Sequence, residues 1–182
     1  AGKPMIQKVV ENLDFDCEYI FLIRKEHIES YNGILDTLAR ITNGRFKHIV
    51  VDKLTEGAAC TALLAKGFID NDEDLLIANS DQIIDWSFVK TNSRGYITEV
   101  AEKKPISNIA TCGIYWYRRG SDYVKYAEQM IEKDIRVNNE FYIAPVYNEL
   151  ISDGKTLIPF YVHRMHGLGT PEDLRYFLEK YK

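Results

Sequence analysis

The amino-acid sequence predicts an α/β fold: a single domain, residues 1–182, built on a mixed, mostly parallel sheet with helices on both faces. Short β-prone runs alternate with helical patterns up to about residue 85, and this alternation is typical of right-handed βαβ units. The early runs are apolar throughout, as expected of strands that are covered on both faces. A length of 182 residues allows one domain with a sizeable core.

Helical and extended patterns follow one another in the first half of the chain. After Pro4, a residue suited to the first turn of a helix, apolar residues recur at helical spacing as far as Leu13. We predict strands at residues 19–23, 47–52 and 74–78 and helices at residues 27–41 and 56–66. The Asn43-Gly44 pair marks the end of the second helix.

The second half of the chain has a different pattern. Residues 95–100 alternate between apolar and polar side chains, and residues 110–117 are rich in aromatics, which indicates half-buried antiparallel strands. We predict helices at residues 121–133 and 139–152, a strand at residues 157–163 and a final helix. In that final helix Thr170 is the expected N-cap and Pro171 the first helical residue.

The composition excludes several classes of function. Hydrophobic residues make up 46% of the chain and charged residues 27%, with a net charge of −4 and a pI near 5.6. Such a chain has no field that attracts nucleic acid or an anionic membrane, so neither is an expected partner. No apolar run reaches the ~20 residues of a membrane span, there is no signal-peptide pattern, and the separated cysteines fit a reducing compartment. We therefore expect a cytoplasmic protein.

The segment LLIANSDQ, residues 75–82, ends a predicted buried strand on an acid, Asp81. A carboxylate at this place caps a turn or lies at the mouth of a site, and local spacing alone does not decide between the two. In open α/β sheets, ligands bind beyond the carboxyl ends of the strands. Asp81 follows such an end, which favours the site.

Seven stretches follow one another in a fixed order: GKPMI (2–6), EGAACTALLA (56–65), LLIANSDQ (75–82), EVAEKKP (99–105), ATCGIYWY (110–117), NNEFYIAPVYNELI (138–151) and HGLGTPEDLRYFL (166–178). In this order they resemble the sugar-phosphate nucleotidyltransferases, a nucleoside-triphosphate transferase family. Within that family the chain looks most similar to a bacterial branch that serves surface polysaccharides such as capsules. The resemblance implies a nucleotide-diphospho-sugar transferase-like fold.

The resemblance also implies a reaction between an NTP and a sugar-1-phosphate that gives an NDP-sugar and pyrophosphate. This reaction needs alignment and charge neutralisation, which Mg²⁺ and cationic side chains supply. Mg²⁺ prefers hard oxygen ligands, usually one or two carboxylates with water and phosphate oxygens. The family's metal aspartate falls on Asp81 and its lysine for the sugar phosphate on Lys103, so both are predicted to be catalytic. A solvated charged turn is the alternative interpretation of the run Glu102-Lys103-Lys104.

A set of substrate-binding residues follows from the same resemblance. The backbone at Gly57 and Ala58 would contact the nucleobase, although the ordinary composition of a helix start explains these residues equally well. Gly113 would let the sugar approach a strand that otherwise has large side chains. Asn139 and Glu140 would hold sugar hydroxyls, with Asn139 also a candidate helix cap. The complete predicted set is Glu56, Gly57, Ala58, Asn79, Glu102, Gly113, Asn139 and Glu140.

Three departures from the family pattern stand out. The family's glycine-rich triphosphate loop, with its arginine and Pro-Lys pair, has no counterpart in residues 1–182. A segment that the family carries after Trp86 is also missing, so we expect an intact protein heavier than 21.1 kDa and a chain break near residue 86. Gly167 stands where many members have a second metal aspartate, and the adjacent His166 is a poor Mg²⁺ ligand.

Two other classes of protein remain open from the sequence. A glycosyltransferase of related fold would consume an NDP-sugar, but such enzymes usually carry an Asp-x-Asp pair, which Asp81 lacks. A non-catalytic relative that binds a nucleotide or a sugar would account for the absent loop and for Gly167. A homo-oligomer is compatible with each class, since the sequence does not decide the oligomeric state.

Overall fold

The structure is a computed structural model, and it describes residues 3–13, 15–79, 87–163 and 171–180. The helices are α1 (Met5–Leu13), α2 (Lys25–Ser30), α3 (Ile34–Ile41), α4 (Ala58–Leu63), α5 (Lys66–Ile69), α6 (Gly120–Glu132), α7 (Val146–Ser152) and α8 (Pro171–Lys180). The strands are β1 (Tyr19–Arg24), β2 (Phe46–Val51), β3 (Leu75–Ala78), β4 (Ser87–Thr91), β5 (Ile97–Glu102) and β6 (Ile114–Tyr117). Helices and strands alternate through the first half, and the predicted α/β class is confirmed.

One of the three described strand pairs is parallel. β1 pairs with β2 along its whole length, and α2 and α3 connect the two strands as a parallel pair requires. β3 was predicted to extend this parallel arrangement, but it pairs antiparallel with β6, whose Tyr115 and Tyr117 are buried in the core. β4, which the sequence patterns do not predict, pairs antiparallel with β5, and antiparallel pairing is what they predict for β5. The predicted predominance of parallel pairing is therefore not found among the described strands.

Two predicted helices are shorter than their sequence patterns. The pattern at residues 27–41 is interrupted before Ile34, because Gly33 has a φ of 83°, so α2 and α3 are separate helices. The pattern at residues 56–66 begins as α4 only at Ala58, since the preceding Gly57, with a φ of 131°, is not helical. By contrast, α6 begins and ends within one residue of its predicted bounds at 121 and 133.

Three predicted elements of the second half are wrong in extent. The strand predicted at residues 110–117 is reduced to β6, and Ala110 forms only an isolated bridge to Phe88. The helix predicted at residues 139–152 starts as α7 at Val146, because residues 137–140 make a tight turn. Residues 157–163 are not a strand: the Leu157 carbonyl accepts a hydrogen bond from the Ile97 amide at 2.9 Å, and Phe160 beyond it is 91% exposed.

The core lies where α6 and α7 pack on each other and on β5 and β6. One face of α6 is fully buried there: Tyr123, Tyr126, Ala127 and Met130. The ring of Tyr117 stacks on Tyr147 at 4.8 Å and meets the ring of Tyr123 edge-on at 5.2 Å. Full burial of a side chain the size of Met130 contributes about 1.5–3 kcal/mol to the stability of the fold, relative to leaving it exposed. These contacts anchor α6 in the core.

A side-chain amide fixes α7 to the β4–β5 pair. The Asn148 side chain accepts a hydrogen bond from the Val100 amide at 2.8 Å and donates one to the Val100 carbonyl at 2.7 Å. Both backbone groups of one residue are thereby satisfied, which sets the position of β5 against the core. β5 ends at Glu102, so this contact also positions the start of the candidate site.

Two further expectations concern the described ranges. Each helix there is too short or too polar to cross a membrane. Cys17, Cys60 and Cys112, all within these ranges, form no disulfide with one another.

Candidate active site

The start of α4 is bonded to a segment far along the chain. The Phe141 amide donates to the Glu56 carbonyl at 2.8 Å, and the Ala59 amide donates to the Phe141 carbonyl at 2.9 Å. Phe141 is 1% exposed and belongs to the core, so it is a firm attachment point. The residues predicted to meet the nucleobase are thus held against those predicted to hold the sugar.

Gly57 is required by a close approach of two backbones. Its φ is 131°, and a Cβ atom there would lie 2.4 Å from the carbonyl oxygen and 2.6 Å from the nitrogen of Phe141. The Gly57 carbonyl accepts hydrogen bonds from the Thr61 amide at 3.0 Å and from the hydroxyls of Thr55 and Thr61, each at 3.1 Å. Packing therefore accounts for this glycine. A nucleobase contact at Gly57 and at the exposed Ala58 stays a prediction.

Arg136 joins the same two segments through its side chain. Its guanidinium forms ion pairs with Glu56 at 2.7 Å and with Asp134 at 2.5 Å. It also donates to the Asn139 carbonyl at 3.3 Å and lies 4.0 Å from the centre of the Phe141 ring. The hydrogen bonds to Asp134 and then to Glu56 raise the pKa of Arg136. Each of its three nitrogens has a partner in these contacts, so Arg136 links the two segments of the protein.

Asn138 and Asn139 form the two central residues of a tight turn. Their φ angles are 48° and 65°, and Val137 and Glu140 exchange two backbone hydrogen bonds of 3.0 Å. Two consecutive positive φ angles are typical of a type I′ turn, in which asparagine is favoured. The alternative prediction that Asn139 caps a helix is therefore wrong, because α7 begins only at Val146. The turn leaves the side chains of Asn139 and Glu140 exposed.

Tyr142 contacts one of the predicted site residues. The Lys103 ammonium lies 4.8 Å from the centre of the Tyr142 ring. Burial, followed by the nearby Glu140 carboxylate, raises the pKa of Tyr142. The structure thus brings Lys103 to the segment that carries Glu140, which belongs to a different sequence motif.

Glu102 and Lys103 point into different surroundings. Glu102 is 7% exposed, and the Ser87 hydroxyl donates a hydrogen bond to its carboxylate. The Ser87 Oγ lies 3.5 Å from the hydroxyl of Tyr115, whose pKa is raised by burial. Lys103 follows at a φ of 56°, a left-handed conformation that costs a non-glycine residue about 1–2 kcal/mol. The predicted contact of Glu102 with a sugar hydroxyl stays a prediction.

Gly113 and Asn79 form a second close pair. Gly113 has a φ of 71°, and a Cβ atom there would lie 3.0 Å from the side-chain nitrogen of Asn79. The Asn79 amide donates to the Gly113 carbonyl at 3.2 Å, which continues the β3–β6 pairing by one step. A second link leads towards Glu102, since the Thr111 amide donates to the Ser87 carbonyl at 2.8 Å. Gly113 is therefore explained by its own conformation and by the Asn79 amide beside it.

Residues predicted for the metal lie outside the part of the chain that the structure describes. Asp81 and the substituted position Gly167, with its neighbour His166, are among them, as are Trp86 and the expected break near it. Within the described ranges, no three His, Cys, Asp or Glu side chains are grouped so that they could hold a metal ion. A surface depression of about 390 Å³ lies elsewhere, along α6, lined by residues such as Ser121 and Gln129.

Sequence reasoning missed Arg136 and Tyr142. Tyr142 lies within the motif NNEFYIAPVYNELI, and Arg136 lies two residues before its start. In a sequence, an arginine near an acid is typical of any exposed turn. A tyrosine next to a phenylalanine is typical of a core segment. Their contacts with Glu56 and Lys103 depend on tertiary structure, which local spacing does not reveal.

Comparison with known proteins supports the fold. No protein-family model matches this chain, and no curated protein matches its sequence. Among solved structures, a nucleoside-diphosphate-sugar pyrophosphorylase from Vibrio cholerae RC9 is similar with a TM-score of 0.82 at 21% identity, over 98% of this chain and 88% of that one.

Two other solved structures are similar at lower scores. A UDP-glucose pyrophosphorylase complexed with UDP-glucose gives a TM-score of 0.68 at 16% identity, over 98% of this chain and 88% of that chain. HddC from Yersinia pseudotuberculosis gives 0.61 at 13% identity, over 100% of this chain and 87% of that chain. The predicted nucleotide-diphospho-sugar transferase-like fold is confirmed.

Proposed function

We propose that this protein is a Mg²⁺-dependent sugar-phosphate nucleotidyltransferase. An oxygen of the sugar-1-phosphate attacks the α-phosphorus of an NTP. A new P–O bond forms, the bond from the α-phosphorus to the bridging oxygen breaks, and pyrophosphate leaves with the electron pair. The products are an NDP-sugar and pyrophosphate. The fold shared with pyrophosphorylases of sugar nucleotides supports this reaction class.

The single observation that carries the proposal is the convergence of three motifs on one short segment. Residues 140–142 contact the start of α4 through the Phe141 backbone and contact Lys103 through Tyr142. A transfer between two bound substrates requires residues for the nucleotide and residues for the sugar at one place. The residues assigned to the nucleotide and those assigned to the sugar contact the same segment. A solvated charged turn at Lys103 would need no contact with that segment.

Lys103 is assigned to the phosphate of the sugar. Its ammonium is a compact cation with three donors, suited to neutralise an anionic oxygen. The tyrosine ring beneath it holds the ammonium in place through a cation–π contact. Glu140, which is exposed and follows the turn at Asn138 and Asn139, is assigned to sugar hydroxyls as an acceptor.

Asp81 is assigned to Mg²⁺. One carboxylate, together with phosphate oxygens and water, is a normal ligand set for this ion, which explains why a cluster of three acids is not needed. When bound, the ion would neutralise charge on the phosphate oxygens during transfer. The neighbouring Asn79, at the end of β3, has an exposed side chain beside Gly113 and is assigned to substrate binding.

The biological setting belongs to the same proposal. Acceptors of this reaction are phosphorylated sugars, and activated sugars of this type are consumed by the synthesis of capsules and other surface polysaccharides. We assign the reaction to the cytoplasm, where NTPs are available.

A substrate panel tests the proposal. NTPs are combined with sugar-1-phosphates in the presence of Mg²⁺, and pyrophosphate release and the NDP-sugar are both measured. We expect at least one pair to react, Asp81→Ala to abolish the reaction, and Asp74→Ala to leave it intact. Asp74 is a matched control because it is an exposed acid at the opposite end of β3. Binding without turnover by the wild-type protein, or consumption of NDP-sugars in its place, would overturn the proposal.

A further inference from the structure

Ser87 and Glu102 lie directly opposite each other at one end of the β4–β5 pair. β4 begins at Ser87, β5 ends at Glu102, and the two residues are register partners. Side chains of directly opposite residues in an antiparallel pair project from the same face of the sheet. That face is turned to the core, because Ser87 is 1% exposed and Glu102 is buried. The next pair on this face, Val89 and Val100, is buried as well.

The Glu102 carboxylate receives its hydrogen bond from a donor that is itself fixed. A buried carboxylate is costly unless hydrogen bonds replace the water that it has lost. The Ser87 hydroxyl donates such a bond to Glu102. The Ser87 carbonyl in turn accepts a hydrogen bond from the Thr111 amide at 2.8 Å, and the Ser87 Oγ lies 3.5 Å from the hydroxyl of the buried Tyr115. Ser87 therefore holds Glu102 from a fixed position.

The end of β5 is held at two places just before the chain turns. The side-chain amide of α7 holds its backbone at Val100, and Ser87 holds the side chain of Glu102. Lys103 follows at a φ of 56°, and its ammonium lies 4.8 Å from the centre of the Tyr142 ring. Such a backbone conformation costs free energy and persists where the surrounding structure fixes it. The bond between Ser87 and Glu102 lies immediately before this conformation and supports it.

We propose that Ser87 is a positioning residue for Lys103: through the Glu102 carboxylate it fixes the end of β5, and with it the place from which the Lys103 ammonium reaches the site. This inference rests on the proposed function, in which Lys103 meets the phosphate of the sugar. Ser87 is too deeply buried to touch a substrate itself. Its hydroxyl preorganises the cation, so that less order has to be imposed on Lys103 when the sugar-1-phosphate binds.

A labelling experiment tests the positioning without any substrate. The protein is trace-labelled with acetic anhydride, and peptide mass spectrometry gives the ratio of acetylation at Lys103 to that at Lys104. Lys104 is exposed and serves as the internal control, whereas Lys103 is half-buried beside a ring, so we expect Lys103 to react more slowly in the wild type. In Ser87→Ala the ratio should rise about 2- to 10-fold, as expected for loss of one hydrogen bond.

Two further substitutions separate the hydroxyl of Ser87 from its volume. Ser87→Thr keeps the hydroxyl and suits a strand, so the ratio should stay close to that of the wild type. Ser87→Cys keeps a small side chain but offers only a weak donor, so the ratio should rise. Ser152→Ala is the matched control: the Ser152 hydroxyl also donates to a protein acceptor, the Glu149 carbonyl at 2.8 Å, but at the end of α7, and its loss should leave the ratio unchanged.

Thermal unfolding shows which of these variants are folded. If Ser87→Ala does not fold, the comparison of Ser87→Cys with Ser87→Thr decides. An unchanged ratio in the folded variants that lose the hydroxyl would overturn the inference. An equal rise in Ser87→Thr or in Ser152→Ala would do so too, as would equal reactivity of both lysines in the wild type.

Kinetics then separate positioning of Lys103 from a general structural role. With a reacting substrate pair, Ser87→Ala should raise KM for the sugar-1-phosphate about 2- to 10-fold and leave KM for the NTP unchanged, and Ser87→Thr should restore the wild-type value. A parallel rise in both constants, or no rise in either, would contradict the assignment. If no pair reacts with the wild-type protein, the proposed function fails, whereas the labelling ratio still decides whether Ser87 positions Lys103.

Discussion

The α6–α7 region (residues 120–132 and 146–152) and the site segments (residues 56–59, 102–103 and 138–142) are held together differently. The α6–α7 region is fixed by buried rings and by Glu149, which is 5% exposed and forms a 2.6 Å ion pair with Lys133. The site segments are fixed by backbone hydrogen bonds and by ion pairs at the surface, such as that of Arg136 with Glu56.

Backbone conformation shows the same difference. Five described non-glycine residues have a positive φ, and three of them, Lys103, Asn138 and Asn139, lie in the site segments. No residue of α6 or α7 is among the five. Strained backbone concentrates where a protein must hold particular side chains in particular places. The α6–α7 region therefore supplies stability, and the site segments spend part of it on backbone conformations that cost free energy.

Gly57→Ala should break this division, because it lies in a site segment yet acts on stability. The new Cβ would lie 2.4 Å from the Phe141 carbonyl oxygen, at a φ of 131°. Overpacking and backbone strain together predict a loss of about 3 kcal/mol in the free energy of unfolding. Denaturant titration measures this loss.

Gly67→Ala is the matched control, since nothing lies within 4 Å of that position and alanine favours a helix by up to about 1 kcal/mol. Equal losses in both variants would show that the approach to Phe141 does not constrain the fold.

Glu149→Gln should destabilise the α6–α7 region in a way that depends on pH. Burial opposes ionisation of Glu149, but hydrogen bonds from Lys133 and Gln129 outweigh it and lower its pKa below the usual 4.5. A lowered folded pKa stabilises the protein above the unfolded value, and that stabilisation is lost as the pH falls through the folded pKa. Well above pH 4.5 the free energy of unfolding of the variant should therefore be about 1–3 kcal/mol lower than that of the wild type. Below pH 4.5 this difference should shrink.

The measurement is denaturant unfolding of both proteins across that pH range. Glu132→Gln, at an exposed acid at the end of α6, is the control and should show little difference at any pH. A difference that is constant with pH would mean that the carboxylate charge of Glu149 does not contribute.

Arg136→Lys should have the smallest effect on stability. Its partners Glu56 and Asp134 are 66% and 72% exposed, and exposed ion pairs contribute about 0–1 kcal/mol each. Lysine keeps the charge but loses the planar fork that reaches both acids and the Asn139 carbonyl, so kcat/KM should fall about 10-fold. Arg45→Lys, whose arginine pairs with Asp16, is a control that should leave the kinetics unchanged. A large loss of stability with intact kinetics would assign Arg136 to the fold.

The sequence was sufficient for elements whose patterns are long and one-sided. The buried face of α6 recurs at helical spacing, and its bounds were predicted to within one residue. The parallel pairing of β1 with β2 followed in the same way from the helical segment between them. These patterns reflect burial, which repeats along an element and can be read locally.

The turn at Asn138 and Asn139 shows why other elements were missed. Asparagine favours both a helix N-cap and a left-handed turn, and the choice between them depends on tertiary contacts. Here Arg136 bonds the Asn139 carbonyl while it pairs with Glu56, which belongs to another segment. The predicted site residues on both sides of this turn were chosen by resemblance alone. Their contacts with one another, including that of Tyr142 with Lys103, depend on tertiary structure and cannot be predicted from local sequence.

The most direct test of the central claim follows the α-phosphorus of the NTP. With a reacting NTP labelled at the α-phosphate and its sugar-1-phosphate, we expect the label in the NDP-sugar and none in pyrophosphate. Lys103→Met should slow this transfer about 10- to 150-fold, as expected for loss of a charge-assisted contact, while Lys104→Met, at the exposed neighbour, stays close to wild type. Label that remains in NTP with every acceptor, or equal losses in the two variants, would contradict the account.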